Sequence, residues 1–98
     1  MRVITRRRLV AFAARHKDAE VPLDDWYRVA RKADWKNFED VRRTASNSVD
    51  LVGRCAVFNV GGNKFRLVVQ IRYEWGKVFI KAVLTHKEYD RGDWKRDC

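Results

Sequence analysis

Twelve residues near the middle of the chain, Lys64 to Trp75, admit few folds. Phe65, Leu67, Val69, Ile71, Tyr73 and Trp75 share one parity, while Lys64, Arg66, Gln70, Arg72 and Glu74 share the other with only Val68 among them. Successive side chains on a β-strand point to opposite faces, so this run is a strand with an apolar face and a charged face. Such a strand needs sheet neighbours on both sides and a covering layer on its apolar face. The flanks supply them. Arg54 to Val60 reads as a strand, Gly61-Gly62-Asn63 as a hairpin turn, Gly76 as a second turn, and Val78 to Thr85 as a last strand. The result is a three-stranded antiparallel meander.

The covering layer lies upstream, where the apolar period is helical. Met1 to Thr5 is β-branched and reads as a short first strand. Thr5 suits an N-cap, followed by Leu9, Val10, Phe12, Ala13 and His16 at helical spacing. Arg6, Arg7 and Arg8 occupy the first turn, where the helix dipole disfavours cations by a few tenths to about 1 kcal/mol each, so they either answer a second demand or stand as solvated charges at a tolerant helix start. Pro22 opens a second helix with Asp24 and Asp25 in its first turn, Arg28, Arg31 and Lys32 towards its end, and Trp26, Val29, Ala30 and Ala33 as its apolar stripe. Asn37 caps a short helix through Phe38, Val41 and Arg42; Thr44 to Ser48 reads as loop, and Val49, Leu51 and Val52 approach the sheet. The expectation is one α+β domain over residues 1–98. Two N-terminal helices pack on one face of a mainly antiparallel sheet, made of a short N-terminal strand plus the C-terminal meander.

What the charged face meets is a question of partners. Lys and Arg number 22 against 13 Asp and Glu, a net charge of +9, divided as +4 over residues 1–53 and +5 over 54–98. The excess belongs to the domain and not to a tail, and such a field concentrates polyanions. A solubilising surface is the plain alternative; nucleic acid is the favoured partner, an acidic protein the next. No apolar run nears the roughly 20 residues of a membrane span, and the N-terminus lacks a signal-peptide pattern. Cys55 and Cys98 have no metal-ligand spacing. Cys55 is expected as a small buried hydrophobe and Cys98 as a frayed end, with nothing that requires a disulfide, as suits a reducing cytoplasm.

Three groups carry chemistry. Asn63, Lys64 and Arg66 follow the glycine turn, with Arg66 on a rigid strand as a forked phosphate clamp or, equally, as a solvated charge. In Thr85-His86-Lys87-Glu88-Tyr89-Asp90, a histidine, a lysine and a tyrosine fall within four residues. They read either as proton carriers and a cation for cleaving a phosphodiester through its 2′-OH or, equally, as a polar strand end with a surface histidine. Strict alternation from Val78, Ile80, Ala82 and Leu84 would turn His86 inward and place Lys81, Thr85 and Lys87 with Arg66, unless a bulge intervenes. The third group is aromatic: Tyr73 and Trp75 by parity are core, and Phe79 and Trp94 remain open between packing and base stacking. There is no phosphate loop, dinucleotide fingerprint, HExxH or zinc spacing, so no metal or cofactor is indicated.

Val57-Phe58-Asn59-Val60-Gly61-Gly62-Asn63 with Arg66, followed by Thr85-His86-Lys87-Glu88-Tyr89-Asp90, resembles the HigB-type toxins of bacterial type II toxin–antitoxin modules, in the RelE-like superfamily. The resemblance is specific over residues 54–90 and general before them. It implies a RelE-like fold and an mRNA interferase cutting messages on the ribosome without metal. It also implies a HigA-type helix-turn-helix antitoxin, through which the toxin would associate indirectly with operator DNA. By the same resemblance Arg66 binds phosphate, His86 and Tyr89 are the polar C-terminal site residues, and Lys87 is a supporting cation. Lys64, Arg54, Lys81, Arg72 and Asn63 are the RNA-binding candidates. Two alternatives share the charge without the catalysis: an RNA- or ribosome-binding inhibitor of translation, and a degenerate toxin kept for complex formation.

Overall fold

Glycine turns and a change of apolar period divide the chain into a helical half and a sheet half. In the computed structural model, which describes the backbone of residues 1–98 and every side chain except that of Asn47, both halves are present. The elements are β1 (Arg2–Ile4), α1 (Arg6–Arg15), α2 (Glu20–Lys32), α3 (Phe38–Ala45), β2 (Val49–Val52), β3 (Cys55–Val60), β4 (Phe65–Arg72), β5 (Lys77–Thr85) and α4 (His86–Arg91), with short 3-10 turns between several of them and after α4. Among the described residues no helix is long and apolar enough to cross a membrane.

The class is α+β, as the periodicity requires, but the architecture is richer than expected. The sheet is five-stranded and mixed, in the order β1-β5-β4-β3-β2. β1 runs parallel to β5, and the other pairs are antiparallel. Val49, Leu51 and Val52 do join the sheet, as edge strand β2 against β3. The long strand is shorter than its alternation suggests: β4 ends at Arg72, and Tyr73–Trp75 form a 3-10 turn closed by Gly76 at φ 64°. Thr44 and Ala45 belong to α3 and not to a loop. Asn37 caps α3 as expected, its Oδ1 accepting from the Asp40 N–H at 3.0 Å. α2 begins two residues before Pro22, so Glu20 supplies the first-turn acid and Asp24 and Asp25 lie further along.

The helical face buries Leu9 and Phe12 of α1, Leu23 and Ala30 of α2 and Val41 of α3 against Phe58, Phe65, Leu67, Val69 and Ile71. Val10 and Val29, assigned to the stripes, are exposed instead. Fully burying a side chain of this kind contributes about 1.5–3 kcal/mol, so this layer fixes the register of β4. Trp35 is buried between α2 and α3, its Nε1 donating to Thr44 Oγ1 at 3.0 Å.

The opposite face is not left to solvent. Cys55, Val57 and Val68 form a second, smaller core with Trp94, and Ala82, Leu84, Tyr89 and Cys98 pack against it. The C-terminal segment therefore lies across the sheet face that the alternation had assigned to charge. Here the cysteine expectation is corrected: Cys55 and Cys98 are disulfide-bonded, with Cα atoms 5.3 Å apart. The end of the chain is pinned further where the Arg54 N–H donates to the Cys98 carbonyl at 2.8 Å. Spacing along the sequence hid this pairing because the two cysteines meet through the second core, not through a local loop.

Candidate active site

β5 carries one residue that β4 does not match. Val68 pairs with Ala82 while Val69 pairs with Ile80, so Lys81 is an extra residue in a β-bulge. Before the bulge, Val78 and Ile80 face the helices; after it, Val83 does, and Ala82 and Leu84 turn to the second core. The parity argument that sent His86 inward is therefore overturned. The bulged Lys81 carbonyl accepts from Arg8 Nη1 at 2.9 Å. Arg6 Nη2 lies 3.4 Å from Asp24 Oδ1, and its guanidinium carbon is 4.6 Å from the centre of the Tyr27 ring. These contacts give Arg6 and Arg8 of the α1 first turn partners outside their own helix.

β5 ends at Thr85, where α4 begins. The Thr85 hydroxyl accepts from the Glu88 N–H at 3.2 Å, and Glu88 Oε1 accepts from the Thr85 N–H at 2.9 Å. This reciprocal capping box satisfies orphan donors at the start of a helix only six residues long. The hydrogen bond from the Thr85 backbone holds the Glu88 carboxyl below the usual carboxylate range, despite some desolvation; the Thr85 side chain, Arg91 and His16 add smaller pulls the same way.

The box places His86 at the first position of α4, exposed to solvent, with Nδ1 3.0 Å from Asp90 Oδ2 one turn on. Asp90 was not singled out from sequence, although the i, i+4 spacing on a helix brings such a pair together. The contact holds the imidazole by its Nδ1 edge. Tyr89 stacks on Trp94 with ring centres 5.1 Å apart, and the Tyr89 carbonyl accepts from Trp94 Nε1 at 2.9 Å. Trp94, open between packing and stacking on ligand, is thus a structural support for Tyr89.

Arg66 faces this helix. Its guanidinium carbon lies 5.0 Å from the centre of the Tyr89 ring, and Nη1 donates to the carbonyls of Asn63 at 3.0 Å and Phe65 at 3.2 Å. The β4–β5 register puts Phe65 opposite Thr85 and Arg66 opposite Leu84, which brings the glycine hairpin beside the head of α4. Asn63, Lys64, Arg66, His86, Lys87 and Tyr89 therefore gather at one end of the sheet. Lys64 also holds Asp18 at 3.1 Å.

The remaining candidates are elsewhere. Arg54 lies in the turn before β3, near the docked C-terminus. Arg72 ends β4 at the opposite end of the sheet, paired with Glu74 at 2.8 Å. Lys81 sits in the bulge between the two ends. His16, read only as part of a helix stripe, is a residue the sequence reasoning missed. It closes α1, stacks on Phe12 with ring centres 4.4 Å apart, lies 5.9 Å from Phe65 by the same measure, and acts electrostatically on Glu88.

Residues 19–92 match the profile of HigB_toxin, described as the RelE-like toxic component of a toxin–antitoxin system. The chain belongs to this family. The mRNA interferase toxin HigB of Escherichia coli (strain K12) and the mRNA interferase HigB of Shigella flexneri are each 56% identical to it over 34 residues, 35% of this chain and 33% of theirs. The matched stretch thus spans a third of the length of those HigB relatives. The mRNA interferase HigB of Escherichia coli O6:H1 is 26% identical over 93 residues, 93% of this chain and 90% of its own.

Proposed function

We propose that this HigB-family chain is a metal-independent endoribonuclease that cuts messenger RNA, working in the cytoplasm on messages held by the ribosome. The observation that carries this reading is the placement of Arg66 against the Tyr89 ring, at the end of the sheet where His86 and Asp90 are paired on α4. A phosphodiester seated there meets a forked cation from β4 and two proton carriers from one helix. The 2′-oxygen attacks phosphorus and the bond to the 5′-oxygen breaks. His86, oriented by Asp90, takes the 2′-OH proton; Tyr89 gives one to the departing 5′-oxygen. Arg66, with Lys87, neutralises the charge gathering on the phosphoryl oxygens. Its curated relatives carry the name mRNA interferase, which supports the same substrate. The proposed partner is a HigA-type helix-turn-helix antitoxin, whose operator binding would carry the toxin to DNA.

The test is induced expression of the wild type beside Arg66→Ala, His86→Ala and Asp90→Asn, with growth followed and message 5′ ends mapped. Loss of a positioned acid or base should reduce cleavage by roughly 10²–10⁴-fold. Arg66→Ala and His86→Ala variants that fold yet deplete messages like the wild type would refute the assignment. Growth arrest by the wild type with intact messages would mark it as a steric inhibitor of translation.

A further inference from the structure

A second feature of the same sheet face lies at the end away from Arg66. The parity of β4 leaves Arg66, Gln70 and Arg72 on the face opposite the helical core, so at about 3.3 Å per residue Arg66 and Arg72 stand roughly 20 Å apart. Around Arg72 the surface is concave. A groove of about 500 Å³ is lined by Arg8, Gln70, Arg72, Trp75 and Lys81, among others.

Its most unusual member is Trp75. The sequence places it with the core, yet the strand stops at Arg72 and the 3-10 turn swings the indole out, leaving it 57% exposed. The Arg72 guanidinium carbon sits 4.2 Å from the indole centre, and Lys77 Nζ is 6.0 Å away. Exposing a tryptophan forgoes more burial free energy than exposing any smaller apolar side chain, and the neighbours over its ring are cations. Four cations (Arg8, Arg72, Lys77 and Lys81) stand in or beside the groove against two carboxylates, Glu74 on Arg72 and Asp97 in the lining. Arg8 is held in place by the bulge carbonyl of Lys81. A rigid aromatic plane backed by arginine, an amide able to donate and accept, and cations on both sides are what a single-stranded nucleic acid needs: a stacking platform beside a basic track.

We infer that the Trp75–Arg72 groove is a stacking subsite for single-stranded RNA, which holds a nucleotide some way along the strand from the phosphate seated at Arg66. This rests on the RNA-cleaving reading above. An acidic protein segment would satisfy the cations but leave the indole plane unused, so RNA is the better fit. Lys81 lies on β5 between the two ends and tracks the connecting backbone.

The test uses the purified full chain and single-stranded RNA oligonucleotides about ten nucleotides long. Tryptophan emission is titrated at two salt concentrations, with wild type and Trp75→Ala compared. Trp26 is half-buried and Trp35 and Trp94 are buried, so the RNA-dependent quenching is expected from Trp75 and is lost in the variant. Trp75→Ala weakens RNA affinity by roughly 5- to 100-fold. Cleavage by this variant shows a raised KM with kcat unchanged, because the groove touches no reacting atom. Lys81→Ala weakens binding less and lowers the salt dependence. Wild-type RNA affinity retained in Trp75→Ala overturns the subsite while leaving the ribonuclease intact. Equal quenching by polyglutamate, which has charge but no bases, also overturns it, in favour of an acidic protein partner. Failure of the wild type both to bind and to cleave RNA removes the reading on which the subsite rests.

Discussion

Breaking the Cys55–Cys98 bridge is expected to remove a large part of the stability of this fold. The bridged residues are 43 apart in sequence. In the chain-entropy description a loop of that size is worth about 4 kcal/mol at 25 °C. Domains of this size are commonly stable by only about 5–15 kcal/mol, and each kcal/mol moves the thermal midpoint by roughly 4–8 °C. Full reduction should therefore lower Tm by roughly 15–30 °C. The native state should survive at room temperature, because Trp94 stays buried and the Cys98 carbonyl keeps the Arg54 N–H. The assay is urea unfolding followed by far-ultraviolet circular dichroism, with and without dithiothreitol, in the wild type and in Cys98→Ser. Reduction should also raise the denaturant slope, since an unfolded chain freed of the loop exposes more surface. Cys98→Ser should behave like the reduced wild type and ignore the reductant. A midpoint change equivalent to less than about 1 kcal/mol on full reduction, checked by thiol titration, would refute the loop-closure reasoning.

Thr85→Ala removes one half of the capping box on α4 and should cost about 1 kcal/mol, read from urea midpoints. The Glu88 half is pH-dependent: its carboxyl is depressed in the folded state, so its contribution is fully present above the ordinary glutamate pKa and disappears as pH falls through the lower folded value. Stability of Glu88→Gln should therefore decline less than that of the wild type on acidification through that window, in denaturant titrations at stepped pH. Gly53→Ala should destabilise by more than 1 kcal/mol, or about a fivefold shift in the folding equilibrium, because Gly53 has φ 57° and an added Cβ would meet the Cys98 carbonyl. In Cys98→Ser the docked terminus is freer to move, so the same substitution should cost less there, measured by the same melts.

The helical half and the meander were legible because both rest on periodicity: Leu9, Phe12 and Leu23 on one side, Phe65, Leu67, Val69 and Ile71 on the other. What periodicity misread was wherever the backbone changes phase. A bulge inserts a residue without any change of composition, so nothing at Lys81 announces that Ala82 and Leu84 belong to a different core from Ile80. Trp75 was assigned to the core by continuing a pattern past the point where the strand stops. The start of α4 was readable after all, since Thr85-His86-Lys87-Glu88 is a capping-box spacing. The apolar run leads straight into it, which makes it look like a strand end. Of the candidate site, the charges next to the hairpin and the His-Lys-Tyr cluster do gather. Arg54 and Arg72 do not, because parity gives the face of a residue but not its distance along the sheet. Asp90 and His16 became visible only once helix ends and the sheet register were in place.

The bulge has a further consequence for how this chain can vary. Lys81 is an extra residue on β5, and the pairs on either side of it, Val69 with Ile80 and Val68 with Ala82, are consecutive on β4. Deleting Lys81 would therefore close the bulge without turning a side chain over: Ile80 and Val83 would still face the helices, Ala82 and Leu84 the second core, and α4 would keep its side of the sheet. What the deletion would remove is the local kink of the strand and the carbonyl that Arg8 holds. For the architecture, position 81 behaves like a removable shim: it bends the strand and anchors α1 without setting which way its neighbours point.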